Sequence, residues 1–200
     1  PCWRILSTYN SFTADGNGKV YFKAAGGTSN TNRELWVSDG TNAGTVMVKD
    51  IAPTLYTGSN AVVLGFLKDK ILVAAHDGTL AYGLELYITD GTDAGTSLLK
   101  DINPGFASSL TQSTNYKNFF TISDSSVVFF KATTAANGSE LWKTDGTADG
   151  TVLIQDLEPG TTNTDPQFFL QLGNTLLFTD FTTATNAELF ALDLTSLLPL

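Results

Sequence analysis

The stretch ELWVSDGTNAGTVMVKD (residues 34–50) recurs as ELYITDGTDAGTSLLKD (85–101) and as ELWKTDGTADGTVLIQD (140–156). A fourth copy, ELFALDL (188–194), stops halfway. The glutamates that begin the copies follow one another at steps of about fifty residues, the length of one supersecondary unit such as a propeller blade. The sequence therefore predicts an array of four similar units.

Each unit reads as a set of short β-strands. An apolar run rich in β-branched and aromatic residues precedes every glutamate: KVYFKA (19–24), KILVAA (70–75), SVVFFKA (126–132) and TLLFTD (175–180). Such runs are typical of strands that are covered on both faces. A polar turn precedes each run, and a further apolar segment precedes that turn, which indicates a hairpin.

The motif itself predicts a third strand, a turn and a fourth strand. Its turn is marked by the pairs Asp39-Gly40, Asp90-Gly91 and Asp145-Gly146. Glycine adopts positive φ at little cost, and an aspartate carboxylate accepts N–H bonds within a turn. A second glycine, at Gly44, Gly95 and Gly150, leads into the last strand, and Pro53, Pro104 and Pro159 end it because proline cannot extend a ladder.

Four antiparallel strands with two apolar faces are what a blade of a β-propeller needs. The sequence thus predicts an all-β, four-bladed propeller, a single domain over 1–200, with blades at about 8–53, 59–104, 114–159 and 165–200. The fourth copy lacks its last strand, and residues 1–7 have the length and apolar character to replace it. Two alternatives remain: a piece of a larger propeller, or a subunit whose strand is donated to a neighbour to give a filament.

These motifs resemble the ELWxxDGT repeat family over essentially the whole chain. The residues that give the resemblance are Glu34, Trp36, Asp39 and Gly40, then Glu85, Tyr87, Asp90 and Gly91, then Glu140, Trp142, Asp145 and Gly146, and finally Glu188 and Phe190. The resemblance implies a secreted or surface-attached, mostly bacterial, propeller-like protein with a binding, adhesive or scaffolding role. It implies no catalytic residues. Tyr87 and Phe190 replace the tryptophan, and Gln155 replaces a lysine.

Composition excludes several classes of partner. The formal net charge is −9 and the pI is about 4.3, so nucleic acid and anionic membrane surfaces would repel the chain. No apolar run approaches the roughly 20 residues that cross a bilayer, so no membrane insertion is expected.

The sequence starts at Pro1 without methionine, which indicates a removed leader or a longer parent chain. The single cysteine, Cys2, can form a disulfide only with another chain.

Residues for catalysis or metal binding are scarce. One histidine, His76, stands beside Asp77 and could act as a general base, but no nucleophile stands at a suggestive spacing, so a polar residue at a strand end is favoured. A single histidine and a single cysteine argue against zinc or haem ligation. The repeated acids could form rings that bind calcium, with Asp39, Asp90 and Asp145 as the candidates. The alternative is structural: carboxylates that hold backbone amides of the turn or of the adjacent blade. We expect no enzyme activity and no cofactor.

Two features of the sequence concern carbohydrate: the variable loops and an acceptor sequence for glycosylation. The variable loops could bind carbohydrate, but Tyr82 is their only aromatic residue. Asn137 begins an Asn-Gly-Ser acceptor sequence for N-glycosylation within a predicted loop. The sequence predicts an extracellular structural or adhesive module that associates with other chains as a homo-oligomer or polymer. A lectin-like module is the alternative, and a fragment of a larger propeller enzyme is a third.

Overall fold

The computed structural model describes residues 12–26, 32–53, 58–79, 82–111, 119–122, 124, 126–157, 160–161, 163–180 and 188–197. These residues form four antiparallel sheets, each a meander in chain order, and the one helical element is a 3₁₀ turn at Leu194–Ser196. The predicted all-β class is confirmed, as is the presence of four successive sheets. No described strand pairing joins one sheet to another.

The strands follow the predicted units. The first sheet contains β1 (Thr13–Ala14), β2 (Val20–Ala25), β3 (Arg33–Ser38) and β4 (Val46–Lys49), and the second contains β5 (Val62–Leu67), β6 (Lys70–Ala75), β7 (Glu85–Thr89) and β8 (Ser97–Lys100). The third contains β9 (Phe119–Thr121), β10 (Val128–Thr134), β11 (Gly138–Thr144) and β12 (Val152–Gln155), and the fourth contains β13 (Gln167–Leu172), β14 (Thr175–Asp180) and β15 (Glu188–Asp193).

The fourth sheet has three described strands, so the second edge of β15 has no strand partner among the described residues. The segment predicted to complete this sheet, residues 1–7, lies outside the described residues. Cys2 lies outside them too.

A register shift recurs at the same place in each full copy of the motif. It falls between Leu35 and Trp36 in β3, and at the matching positions of β7 and β11. A bulge of this kind adds one unpaired residue, bends the strand and increases its twist. The motif thus encodes the same local distortion three times, just after the glutamate.

The chain divides into two compact units. The first consists of Pro1–Leu64 and Lys70–Thr114, and the second of Gly65–Asp69 and Asn115–Leu200. In the first unit, the Tyr21 side chain of the first sheet reaches the turn of the second sheet, where its hydroxyl would lie 2.7 Å from a Cβ at Gly91. Lys49 strengthens this contact by donating to Asp93 Oδ1 at 2.8 Å.

The second unit has a core between its third and fourth sheets. Seven side chains form this core, and each is at most 3% exposed. They are Ile122, Val127, Phe129 and Leu141 from the region of the third sheet, and Leu176, Phe178 and Leu194 from the region of the fourth. Phe178 also packs against Phe169 and stacks on Phe190, with ring centroids 5.9 and 5.4 Å apart. None of the described helical residues makes a segment long and apolar enough to span a membrane.

Candidate functional site

Every full copy of the motif folds into one hydrogen-bonded turn. In the first copy, Asp39 Oδ1 accepts bonds from Thr41 N at 2.9 Å and from Thr41 Oγ1 at 2.7 Å, and Thr41 Oγ1 accepts from Gly44 N at 2.9 Å. The second and third copies repeat these three bonds at 2.6–3.0 Å. The aspartate therefore organises its own turn, and its Oδ1 atom is engaged there.

A pair of hydroxyls joins the two ends of the same turn. Ser38 Oγ lies 2.7 Å from Thr45 Oγ1, accepts a bond from Gly40 N at 3.1 Å, and so connects the last residue of β3 to the approach to β4. Thr45 Oγ1 donates to Thr41 O at 2.6 Å. The second and third copies use threonine pairs, Thr89 with Thr96 and Thr144 with Thr151. The signal for this pair, a Ser/Thr before the Asp-Gly and a Thr after the second glycine, was present in the sequence but went unrecognised.

The two glycines of the turn are needed for different reasons. Gly40 has φ +87°, a conformation that side chains rarely adopt, and its counterparts Gly91 and Gly146 have φ +87° and +89°. Gly44 is required for space, because a Cβ there would lie 2.0 Å from Asp39 Oδ1. The same clash would occur at the second glycine of the next two copies.

Hydrogen bonding favours the ionised form of the turn aspartates. The Thr41 side chain and then its backbone N–H lower the pKa of Asp39, and Thr92 lowers the pKa of Asp90 in the same way. Asp39, Asp90 and Asp145, the calcium candidates, lie in three separate turns. In the described part of the chain, no three His, Cys, Asp or Glu side chains lie together in a way that could hold a metal ion.

The motif glutamate binds the segment that leads to the next sheet. Glu34 is 0% exposed, and its carboxylate accepts bonds from Ile51 N at 3.2 Å, Ala52 N at 3.3 Å and Ser59 N at 2.9 Å, together with one from Ser59 Oγ. Ile51 and Ala52 follow the first sheet, and Ser59 precedes β5. One buried carboxylate therefore fixes both ends of the linker, and we call this arrangement the glutamate clamp.

The second copy repeats the glutamate clamp. Glu85, also 0% exposed, accepts bonds from Ile102 N at 2.8 Å and from Ser109 N at 2.9 Å, with a further one from Ser109 Oγ. Burial raises the pKa of Glu34 and of Glu85, while these hydrogen bonds oppose the rise. The serines stand 25 and 24 residues after their glutamates, and this near-constant spacing is the sequence signal for the clamp.

The third clamp is incomplete. Glu140 accepts from Leu157 N at 3.0 Å and Thr164 Oγ1 at 3.2 Å, both through Oε2, while its buried Oε1 has no hydrogen-bond partner among the described residues. Thr164 N, unlike its serine counterparts, donates to Ser139 O at 2.9 Å. Burial raises the pKa of Glu140 to about 7, only partly offset by the two bonds, and the carboxylates of Asp156 and Asp180 add to the rise.

The broken fourth copy retains half of the turn. Asp193 Oδ1 accepts from Thr195 N at 2.9 Å and from Thr195 Oγ1 at 2.8 Å, as the turn aspartates of the full copies do. Leu194 replaces the glycine and is fully buried in the core of the second unit, where the 3₁₀ turn begins. Glu188 is exposed, and Phe190 stacks on Phe178. The signal for this remnant was the Asp-x-Thr spacing.

Two remaining candidates are held by local bonds. Asn137 lies in the hairpin turn between β10 and β11, where its Nδ2 donates to Asp156 Oδ2 at 3.1 Å. Glycosylation at this atom stays a prediction. His76 Nδ1 accepts a bond from Gly78 N at 3.1 Å, and burial lowers the His76 pKa, so the neutral form is favoured.

The first sheet has an apolar groove of about 850 Å³ along the face that bears Phe12, Val20, Phe22 and Trp36. Phe12 is 56% exposed and its ring centroid lies 5.5 Å from that of Phe22. The turn of the first motif, including Asp39, borders the groove. The groove thus places the exposed Phe12 and the half-buried Trp36 beside a polar turn.

The sequence was compared with protein-family models and with curated proteins, and neither comparison returned a match. The resemblance to ELWxxDGT repeats therefore depends on the motif residues alone.

Proposed function

We propose that this chain is a non-enzymatic, extracellular structural module that associates with other copies of itself. One observation is the main support: the acids that recur in the full motif copies hold the fold together. Asp39 and Asp90 organise turns, and Glu34 and Glu85 bind linkers. A side chain that is committed to backbone N–H groups is poorly suited to acid–base chemistry, which needs a group free to exchange its proton with a substrate.

The proposal includes a finer architecture, in which each sheet is a blade of the β-propeller type. A blade is sandwiched between its neighbours, which agrees with the low exposure of both faces of β6 and β10. The fourth blade would be completed by residues 1–7, either of the same chain, which closes a ring, or of a neighbouring chain, which builds a polymer. The edge of β15, which has no strand partner among the described residues, invites either solution.

The extracellular, adhesive setting is supported by the motif resemblance and by a low charged fraction of 16%. Self-association is supported by the large apolar side chains that remain exposed: Phe12, Val46, Met47, Phe106, Phe168, Leu170, Leu172 and Leu189. Contiguous exposed apolar patches mark interaction surfaces, and Leu170, Leu172 and Leu189 share one face of the fourth sheet.

The proposal is tested by light scattering over a wide range of protein concentration. We expect the average mass to rise with concentration in the full chain. Deletion of residues 1–6 should reduce this rise, whereas deletion of residues 198–200 serves as a truncation of similar kind at the other end. A mass that stays at the 21.3 kDa of one chain at every concentration would refute self-association.

Carbohydrate binding is a second candidate, favoured by one observation. A cavity of about 370 Å³ in the first unit is lined by His76, Tyr82 and Ser108, which combine one aromatic ring with hydrogen-bonding groups. An aromatic face with polar neighbours is suited to a small sugar. A glycan array compares the wild type with Tyr82→Ala: a hit that this substitution abolishes supports the lectin-like function, and an array without hits removes it.

A further inference from the structure

The groove on the first sheet corresponds to a surface that is occupied in the second sheet. Directly paired residues share a face, so Phe22, Trp36 and Met47 stand side by side on the first sheet. We call this the groove face. The matching residues of the second sheet are Val73, Tyr87 and Leu98. Phe22 and Val73 are both buried, whereas Trp36 is half-buried where Tyr87 is 6% exposed, and Met47 is 39% exposed where Leu98 is half-buried.

The contacts at the second sheet show what fits beside such a turn. Tyr21 projects from the opposite face of the first sheet onto Gly91, and Lys49 from the same sheet bonds Asp93 two residues further on. Gly40 holds the position of Gly91 in the first sheet, and a Cβ there would meet nothing within 4 Å. The first copy thus has the same receiving turn without its occupant among the described residues.

The fourth sheet has an exposed apolar face that could cover the groove face. Leu177 pairs with Leu170 on one side and with Ala191 on the other, so these three residues share a face of the sheet. Leu189 lies two residues before Ala191 in β15 and therefore belongs to the same face. We call this the open face. Leu170, Leu172 and Leu189 on it are 59%, 68% and 72% exposed, and its other side forms the core with the third sheet.

The open face corresponds to the side of the first sheet that bears Tyr21. Ala24 pairs with Glu34 in the first sheet, and Asp180 pairs with Glu188 in the fourth. Tyr21 and Leu177 each lie three residues before the partner of the motif glutamate, so they hold equivalent positions. In the second unit, Phe129 on the equivalent face of the third sheet packs into the following sheet. The stacking order is therefore the same in both units.

We infer that a second copy of this chain docks the open face of its fourth sheet onto the groove face of the first sheet. This inference rests on the proposed self-association and names its surfaces. Leu177 takes the place beside Gly40 that Tyr21 takes beside Gly91, and Leu170 and Leu189 cover Trp36 and Met47. None of these side chains is charged, so their burial removes apolar area from water without isolating an ion.

The two faces differ, so the contact is heterologous. Each copy offers one groove face and one open face, and such contacts build open chains of copies rather than closed pairs unless the rotation happens to close a ring. The order of sheets would then continue from one molecule to the next as it does within each unit.

The test uses one charged substitution on each face, Met47→Asp and Leu189→Asp, with Phe106→Asp as the matched control. Phe106 is 79% exposed and belongs to neither face. Because all three sites are exposed, we expect native far-UV circular dichroism from each variant. An unpaired carboxylate is strongly unfavourable in an apolar contact, so either face variant alone should remain monomeric at concentrations where wild type and Phe106→Asp associate.

Mixing the two face variants gives the sharpest result. Met47→Asp retains an intact open face, and Leu189→Asp retains an intact groove face, so the mixture should form a one-to-one dimer and nothing larger. If wild type associates but both single variants associate equally well, the docking surfaces are wrong while self-association stands. A Leu189→Asp variant that dimerises alone, or a mixture that stays monomeric, also overturns the pairing. A monomeric wild type, as expected for contact within one chain, overturns this inference and the proposed self-association together.

Discussion

The carboxylate of Asp39 occupies the space into which a side chain at Gly44 would project: a Cβ at Gly44 would lie 2.0 Å from Asp39 Oδ1. The same carboxylate accepts two bonds from Thr41, so it cannot move aside without losing them. Two residues that are five positions apart are thus required together, and this relationship recurs in the next two copies.

Gly44→Ala should therefore destabilise the first unit, because it displaces Asp39 and breaks the turn. We expect a drop in melting temperature of at least about 5 °C, measured by circular dichroism. The control is Gly40→Ala, where a Cβ meets no described atom within 4 Å and only the cost of positive φ remains, so its effect should be smaller. In an Asp39→Ala background the cost of Gly44→Ala should shrink, and additive effects in this double-mutant cycle would contradict the argument.

Ser109→Ala tests the glutamate clamp. The substitution removes the hydroxyl bond to Glu85 Oε2 and leaves a fully buried carboxylate short of one donor. We expect a loss of about 1 to 3 kcal/mol in the free energy of unfolding, measured in urea. Ser97→Ala, at an exposed site in β8, is the matched control and should change the stability little. Equal effects of the two substitutions would refute the clamp.

The repeat itself made the local fold predictable. The apolar runs became β2, β6, β10 and β14 because short runs rich in β-branched and aromatic residues form strands that are covered on both faces. The Asp-Gly pairs became turns because glycine accepts φ near +87°. Both features depend on neighbours in sequence. The strands and turns of each sheet can therefore be predicted from its own repeat unit.

The glutamate clamp was harder to predict, since it joins residues that are far apart in sequence. Nothing local to Glu34 indicates that its partner is Ser59, and the spacing becomes visible only when Glu85 with Ser109 is placed beside it. The remnant turn at Asp193 was hidden for another reason. A buried leucine takes the glycine position there, and packing against the third sheet replaces the missing second half of the turn.

Calcium should leave the stability of the chain unchanged if the turn aspartates are structural. The Oδ1 atoms of Asp39 and Asp90 already accept two bonds each, and the described acids form no cluster that could hold an ion. We expect the same melting temperature with calcium and with a chelator. A ligand that binds only the folded state must raise the melting temperature. A calcium-dependent rise that Asp90→Asn removes would therefore show that the turn aspartates bind calcium.

The incomplete clamp at Glu140 predicts a pH dependence of stability. Its pKa is about 7 in the folded protein and starts from 4.5, so the folded state holds this proton more tightly than the unfolded state. The stabilisation is fully present below about pH 4.5 and is lost as the pH rises through 7, which amounts to about 3 kcal/mol at most. Glu34 and Glu85 shift in the same direction, but each has more donors than Glu140.

Glu140→Gln isolates this contribution. The amide is neutral at every pH and has no ionised oxygen to bury, so the variant should be more stable than wild type at pH 8, and the difference should diminish towards pH 5. Urea unfolding of both proteins between pH 5 and 8 measures that difference. Glu188→Gln, at the exposed glutamate of the fourth copy, is the control and should run parallel to wild type. If the Glu140→Gln curve also runs parallel to wild type, Glu140 is ionised throughout the range and its unpartnered oxygen has no energetic consequence.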